Sequence, residues 1–374
     1  MADIDDRWHR RGPDGKLERT DRYGVGARWL VRWRDPEGRQ RKKSFKRKAE
    51  AENFAASLEH GLRSGSYIAP DAGRVRVGEW AQRWLDAQRH LAPSTVERYR
   101  GVVQTHIVPR WGNVYLSSVT HADVQAWVSG LVEDLAATSV AKVHRVFSLM
   151  MAWAVRDARL ARNPAEGVKL PRPALPDHRY LDHDQVARLA ERCGDHGVVV
   201  RFLAYTGLRW GELAALRVGR VDLRRRRVQV VESVTEVNGS LVWGTPKTHE
   251  RRSVPIPRFL VDQLRPRVEG RPDDALVFPS PRGEVLRVRN FRRRVFDAAV
   301  REVGPEGFHP HELRHTAASL AIASGADVKI VQQMLGHKTA TMTLDLYGHL
   351  FPDRLDEIAD RMDQAVCAPN VPHD

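Results

Sequence analysis

Cysteine is almost absent from this chain of 374 residues: Cys193 falls in a predicted helix and Cys367 in a polar tail. Two thiols with no pairing or ligand spacing give no reason to expect a disulfide framework or an oxidising compartment. Long apolar runs are missing as well. No window approaches the roughly eighteen uncharged apolar residues of a membrane span, and the opening MADIDDRWHRRGPDG has no apolar core of signal-peptide length. A soluble, cytoplasmic protein without a membrane partner is expected. Lysine is scarce: it supplies 10 of the 61 cationic residues and arginine the other 51. The net charge is nevertheless +14 and the pI about 10.2. Such an excess points to a polyanionic partner, most simply nucleic acid, and does not distinguish duplex from single strand.

The length allows two or three domains, each with its own core. In ARWLVRWRD, Trp29, Val31 and Trp33 alternate with Arg28, Leu30, Arg32 and Arg34, the pattern of a half-buried strand with a basic outer face. Asp35-Pro36-Glu37-Gly38 has the chemistry of a turn, and RQRKKSF, with Arg41 and Lys43, supplies a second strand. The period then becomes helical, with Ala51, Phe54, Ala55, Leu58 and Leu62 on one side. Residues 1–65 are therefore expected to form a small basic sheet backed by a helix. Its outer face either contacts nucleic acid or is simply solvated.

Residues 75–168 read as all helix, a compact bundle. Ser94-Thr95-Val96-Glu97 has the form of a capping box, Thr120 to Asp123 resembles another helix start, and SVAKVHRVFSLMMAWAVRDA supplies a further helix. Lys142 and Arg145 flank His144 there as candidate nucleic-acid contacts, His144 itself reading as a surface or backbone-contacting residue. The Pro-rich stretch 169–179 is a linker. From 180 to 350 helices alternate with a strand-rich block, in which Asn238-Gly239 between two runs predicts a hairpin. Residues 351–374 form a tail with Leu355, Ile358, Ala359 and Met362 as an amphipathic stripe. The whole is a multidomain α+β fold.

The last of these regions carries the chemistry. TGLRWGELAALR contains Arg209, TPKTHERRSVPI contains Lys247, HELRHTAASL contains His311 and Arg314, and LGHKTATMTLDLYGHL contains His337 and Tyr347. Each string alone is a weak match. In this order, with His337 ten residues before Tyr347, they resemble the tyrosine recombinases, the phage integrase family. The upstream basic sheet and helical bundle are similar to that family's arm-type domain and its SAM-like core-type DNA-binding domain, so the resemblance covers nearly the whole chain.

It implies DNA strand breakage and rejoining through a 3′-phosphotyrosyl intermediate, with no cofactor and no metal. Planar guanidinium forks at Arg209 and Arg314 suit the charged non-bridging oxygens of a pentacoordinate phosphorane. Tyr347 is the expected nucleophile, His311 the expected base and Lys247 the expected donor to the departing 5′ oxygen, while His337 would hydrogen-bond the phosphate. Glu212, one turn after Arg209, is either a buried brace for the cations or an ordinary helix-surface charge. The implied partners are duplex attachment sites, four protomers in a synaptic complex, and a host DNA-bending protein and directionality factor. The tail would dock on a neighbouring protomer or pack on its own domain.

Other readings differ in class. A related recombinase could resolve chromosome dimers or invert a segment, and a relative could bind DNA without cutting it. His311-Glu312-Leu313-Arg314-His315 also matches the H-E-x-x-H string of zinc proteases, although Ala318 and Ala321 stand where the longer zinc motif requires Gly and His. His309 is expected to be structural and His315 is left unassigned. Tyr99, Tyr180 and Tyr205 are nucleophiles by residue type alone.

Overall fold

The computed structural model describes residues 2–65, 67–69, 71–173, 179–246, 251–351 and 362. Lys247, residues 174–178 of the expected linker, Cys367 and the tail residues Leu355, Ile358 and Ala359 lie outside the described residues. The chain divides into two units, Met1–Leu175 and Pro176–Asp374. No described helix is long and apolar enough to cross a membrane.

The first unit opens with β1 (Asp3–Asp6), β2 (His9–Arg11), β3 (Leu17–Arg19), β4 (Trp29–Arg34) and β5 (Gln40–Phe45). Strands β1, β4 and β5 form an antiparallel sheet with β4 central, and β2 and β3 form a separate hairpin. Val31 and Trp33 are buried under α1 (Lys48–Arg63), which contributes Ala51, Ala55 and Leu58 to the same small core. Trp33 closes it polar end outward, its indole N–H donating to the Tyr67 hydroxyl at 2.8 Å.

Strand β1 changes the expected electrostatics of this sheet. Its aspartates lie beside β4, and Arg28 binds Asp6 at 2.7 Å while Arg32 pairs with Asp5. Arg41 pairs with Asp35, at 3.1 Å, and Lys43 lies 4.6 Å from the centre of the Phe54 ring. Arg34 reaches the Gly38 carbonyl at 3.5 Å. Much of the positive charge expected on the outer face is thus neutralised within the module.

The bundle contains α2 (Val77–Asp86), α3 (Pro93–Val102), α4 (Val108–Trp111), α5 (His121–Asp134) and α6 (Ala137–Arg156). A single π turn, Val103–Ile107, joins α3 to α4 just before Pro109, where the missing N–H forbids a regular helical bond. The expected Ser94 capping box does not form. Ala92 is the N-cap and Pro93 takes the first helical position, where its fixed φ suits the helix and its absent N–H costs nothing. Thr120 does cap α5, its hydroxyl accepting from the Asp123 N–H at 3.2 Å. The core centres on Trp80, Ile107, Trp111, Phe147 and Met150. Lys142 and Arg145 are exposed on α6, while the His144 ring reaches the Ala165 carbonyl at 3.0 Å.

The second unit contains α7 (His183–Arg192), α8 (Gly197–Thr206), α9 (Trp210–Ala214), α10 (Arg258–Val268), α11 (Val288–Phe291), α12 (Asp297–Val303), α13 (Glu312–Ala323), α14 (Val328–Leu335) and α15 (Ala340–Tyr347). Its strands are β6 (Val221–Asp222), β7 (Arg227–Val230), β8 (Ser233–Val237), β9 (Ser240–Gly244) and β10 (Arg252–Pro255). Strand β7 lies between β6 and β10 in an antiparallel sheet. Strands β8 and β9 form the hairpin expected at Asn238-Gly239, whose φ values of 49° and 79° are those of a type I′ turn. One core runs through the unit, with Phe202, Phe278, Phe296 and Leu313 fully enclosed.

Phe147, 0 % exposed, packs against Trp111 and Trp127. Phe147→Ala should cost the bundle about 3–5 kcal/mol, read as a lowered urea midpoint in tryptophan fluorescence.

Candidate active site

The site grows from two helix ends. Helix α8 stops at Gly207, whose φ of 66° is the left-handed conformation glycine adopts without strain. The chain then enters α9 with Arg209 as N-cap and Glu212 at the third helical position. The Glu212 carboxylate accepts from the Arg209 backbone N–H at 2.9 Å and from its guanidinium at 3.1 Å. On its other side it receives Arg252 of β10 in a two-pronged pair, 2.9 and 2.6 Å. Glu212 is 2 % exposed, so the helix-surface alternative is excluded. Burial pushes its carboxyl upward, but the bonds and charge of Arg252, with help from Arg209, outweigh that and hold its pKa below the usual range.

Arg252 was not among the expected site residues. It lies in the same string as Lys247, and in a chain with 51 arginines its residue type carries no contrast. The available signal was strand alternation: Arg252 shares a face of β10 with buried Val254, and an inward arginine implies a buried acid. Its Nε also donates to the Met334 carbonyl at 3.1 Å, tying β10 to the end of α14. Gly336, with φ 64°, permits that approach, since a Cβ there would lie 2.9 Å from Arg252 Cδ.

Arg314, in the first turn of α13, is 4 % exposed. Its guanidinium donates to the Gly207 carbonyl at 2.5 Å and the Leu335 carbonyl at 2.7 Å, so it meets the negative ends of α8 and α14 together. Burial, then repulsion from Arg209, lowers its pKa to about 9, which leaves it charged at neutral pH. His337 follows Gly336 and is 7 % exposed, with Nδ1 3.0 Å from the Thr343 hydroxyl. Burial first, then Arg314, Arg209 and Arg252, depress its pKa to about 4. This imidazole is therefore neutral at physiological pH.

Tyr347 ends α15, a helix capped by the Thr339 hydroxyl, which accepts from the Met342 N–H at 3.3 Å. Its ring lies parallel to that of His337, centroids 6.4 Å apart, and the residue is 1 % exposed. Burial raises the phenol to about pKa 12, against the lowering field of Arg314. The Tyr347 hydroxyl meets His315 Nδ1 at 2.8 Å. His311, the expected base, is exposed and sits edge-on to the His315 ring, 5.4 Å between centroids. Four residues apart, the two histidines share a helix face, and the Tyr347 hydroxyl meets the one left unassigned rather than the expected base.

Arg209, Glu212, Arg314, His337 and Tyr347 thus form one connected cluster, and Lys247 lies outside the described residues. Within the H-E-x-x-H string, Glu312 accepts from the His309 N–H at 2.6 Å. The other tyrosines are placed elsewhere: Tyr205 bonds His183 at 2.7 Å, Tyr180 approaches His349 at 3.3 Å, and Tyr99 stacks on Trp84. Beside the cluster, Arg251, Arg252, Lys329, Gln332, His337 and Lys338 line a polar cleft of about 490 Å³.

Two measurements check this electrostatic account. An unfolded imidazole takes up its proton near pH 6.5, whereas His337 in the fold waits until about 4. The unfolded chain therefore binds more protons in that window, and stability should fall as pH drops from about 6.5 toward 4; ring NMR should place the His337 midpoint near the lower value. Glu212→Leu leaves the Arg252 charge buried and unpaired, so a loss of about 3–5 kcal/mol is expected in urea unfolding.

Residues 179–354 match the family model described as the phage integrase family, and residues 77–132 match that of its N-terminal SAM-like domain. The integrase of Mycobacterium phage D29 is 27 % identical over 338 residues, covering 86 % of this chain and 89 % of the relative. Tyrosine recombinase XerC of Mycobacterium bovis is 30 % identical over 258 residues, covering 66 % and 84 % respectively. A structure of a lambda integrase tetramer bound to a Holliday junction has the same fold, with a TM-score of 0.58 and 19 % identity over 83 % of this chain and 94 % of that one. The motif order, the buried arginine and tyrosine cluster and these matches agree: the chain belongs to the phage integrase family and is a site-specific tyrosine recombinase, an enzyme that breaks and rejoins DNA strands.

Proposed function

We propose that this recombinase is an integrase, which inserts and excises a mobile element between two duplex attachment sites in the cytoplasm. The observation that carries the reading is the enclosed Tyr347 hydroxyl beside Arg314 and His337, with Arg209 joined to them through Glu212 and Arg252. Tyr347 attacks the scissile phosphorus, and the P–O5′ bond breaks. Arg209 and Arg314 hold the non-bridging oxygens, His337 hydrogen-bonds the phosphate, and Lys247 gives its proton to the departing 5′ oxygen. The 3′-phosphotyrosyl ester retains the energy of the original bond, so a 5′ hydroxyl from the other duplex can displace Tyr347 without a nucleotide cofactor. Two duplexes cut on both strands call for four protomers, as in the lambda integrase tetramer on its junction. A host DNA-bending protein and a directionality factor would set the outcome.

Relatives of both kinds favour a second reading, dimer resolution, since the phage integrase and the XerC protein match comparably. The N-terminal sheet is the part that tips the balance to integration. Exposed Arg34 on that sheet and Lys142 and Arg145 on the bundle, with Arg28, Arg32, Arg41 and Lys43 once their partners are exchanged for phosphates, are its DNA contacts.

Tyr347→Phe should abolish detergent-resistant attachment of DNA and leave binding of the same duplex unchanged; attachment that persists contradicts the assignment. Deleting residues 1–65 separates the two readings. An integrase should lose recombination only on substrates with distal arm sites, whereas a dimer-resolving enzyme should be indifferent to those sites. Binding in either case should weaken steeply with salt as phosphate neutralisation releases counterions.

A further inference from the structure

We infer that His315 is the residue that takes the proton from Tyr347 when the tyrosine attacks, an inference that rests on the recombinase mechanism above. A phenol that is 1 % exposed cannot hand its proton to bulk water, so an acceptor must lie inside the site. His315 Nδ1, 2.8 Å from the hydroxyl, is at the distance proton transfer requires. A neutral imidazole offers one ring nitrogen as acceptor, and in the tautomer protonated on Nε2 that nitrogen is the one facing Tyr347.

The neighbouring groups have other geometry. The His337 ring is parallel to that of Tyr347 with centroids 6.4 Å apart, and its Nδ1 is turned to the Thr343 hydroxyl at 3.0 Å. His311 is on the outer side of His315. Arg314, next in the chain, is anchored by two carbonyls and its field favours the phenolate, while Tyr180 opposes it. The anchored arginine also fixes the root of His315, because both occupy the first turns of α13.

The step balances within the site. The Tyr347 O–H bond breaks as its proton moves to His315 Nδ1, and the oxygen's electron pair forms the bond to phosphorus. The P–O5′ pair leaves with the 5′ oxygen, which is protonated from Lys247. On rejoining, the Lys247 amine takes the proton of the attacking 5′ hydroxyl as that oxygen bonds to phosphorus, the P–O bond to Tyr347 breaks, and the imidazolium returns its proton to the departing tyrosine oxygen.

The test uses the full chain and the duplex captured covalently by wild type, made with either oxygen or sulfur at the scissile 5′ bridge. A thiolate departs without a proton, so the sulfur duplex bypasses the acid and isolates nucleophile activation. His315→Ala should slow cleavage of both duplexes on the order of 10²–10⁴-fold. Added imidazole should restore part of that rate, and duplex affinity, which reports folding, should be unchanged. Lys247→Ala should be slow on the oxygen duplex and restored on the sulfur one. His315→Gln, which keeps a hydrogen-bonding group but accepts no proton, should match His315→Ala before imidazole is added. Wild-type or faster cleavage by His315→Ala, or restoration by sulfur and not by imidazole, overturns the inference. Failure of wild type to capture any duplex covalently in the first place would overturn the recombinase mechanism itself.

Discussion

Two of the site's three arginines hang on one carboxylate. Glu212 is buried and holds Arg209 from its own turn and Arg252 from β10, and Arg252 in turn reaches the end of α14. Burial and then the repulsion among these neighbouring arginines lower the pKa of Arg314, and burial and then the same arginines lower that of His337. A single acid offsets only part of that repulsion. The positive charge that remains is complementary to an anion, which the mechanism proposed above identifies as the scissile phosphodiester.

The same enclosure keeps the Tyr347 hydroxyl protonated. With its pKa raised to about 12, Tyr347 is almost wholly protonated at neutral pH, and among the described residues the charge of Arg314 favours its ionisation. His337 is held neutral first by burial and then by the arginines around it. In the mechanism proposed above, activation therefore requires an acceptor in contact with the hydroxyl at the moment of attack. Secondary structure fixes these relations: the left-handed glycines at 207 and 336 end α8 and α14 where their carbonyls converge on Arg314 and Arg252 can pass.

Much of this was legible in the sequence where a pattern has one physical meaning. The alternation of Trp29, Val31 and Trp33, the Asn238-Gly239 turn and the Thr120 cap each appear as read. Four ordered strings sufficed to identify the family, because their company is specific even though no single one is. What escaped depended on contacts between distant segments. The DIDD strand β1 has too little apolar alternation to announce itself, and only its pairing with β4 reveals that it neutralises Arg28 and Arg32. Pro93 displaced the Ser94 cap by fixing the helix start. Arg252 was hidden among many arginines, and His311 and His315 were equivalent by spacing until α15 brought Tyr347 to one of them.

The central claim is that Tyr347 becomes joined to the 3′ phosphate of a cut strand. Digesting the covalent complex with protease and nuclease and mapping the nucleotide-bearing peptide by mass spectrometry tests it most directly. The account predicts a single modified peptide, carrying Tyr347 esterified to a 3′-terminal phosphate. A modification on Tyr180, Tyr205 or a serine, or attachment through a 5′ phosphate, would contradict it.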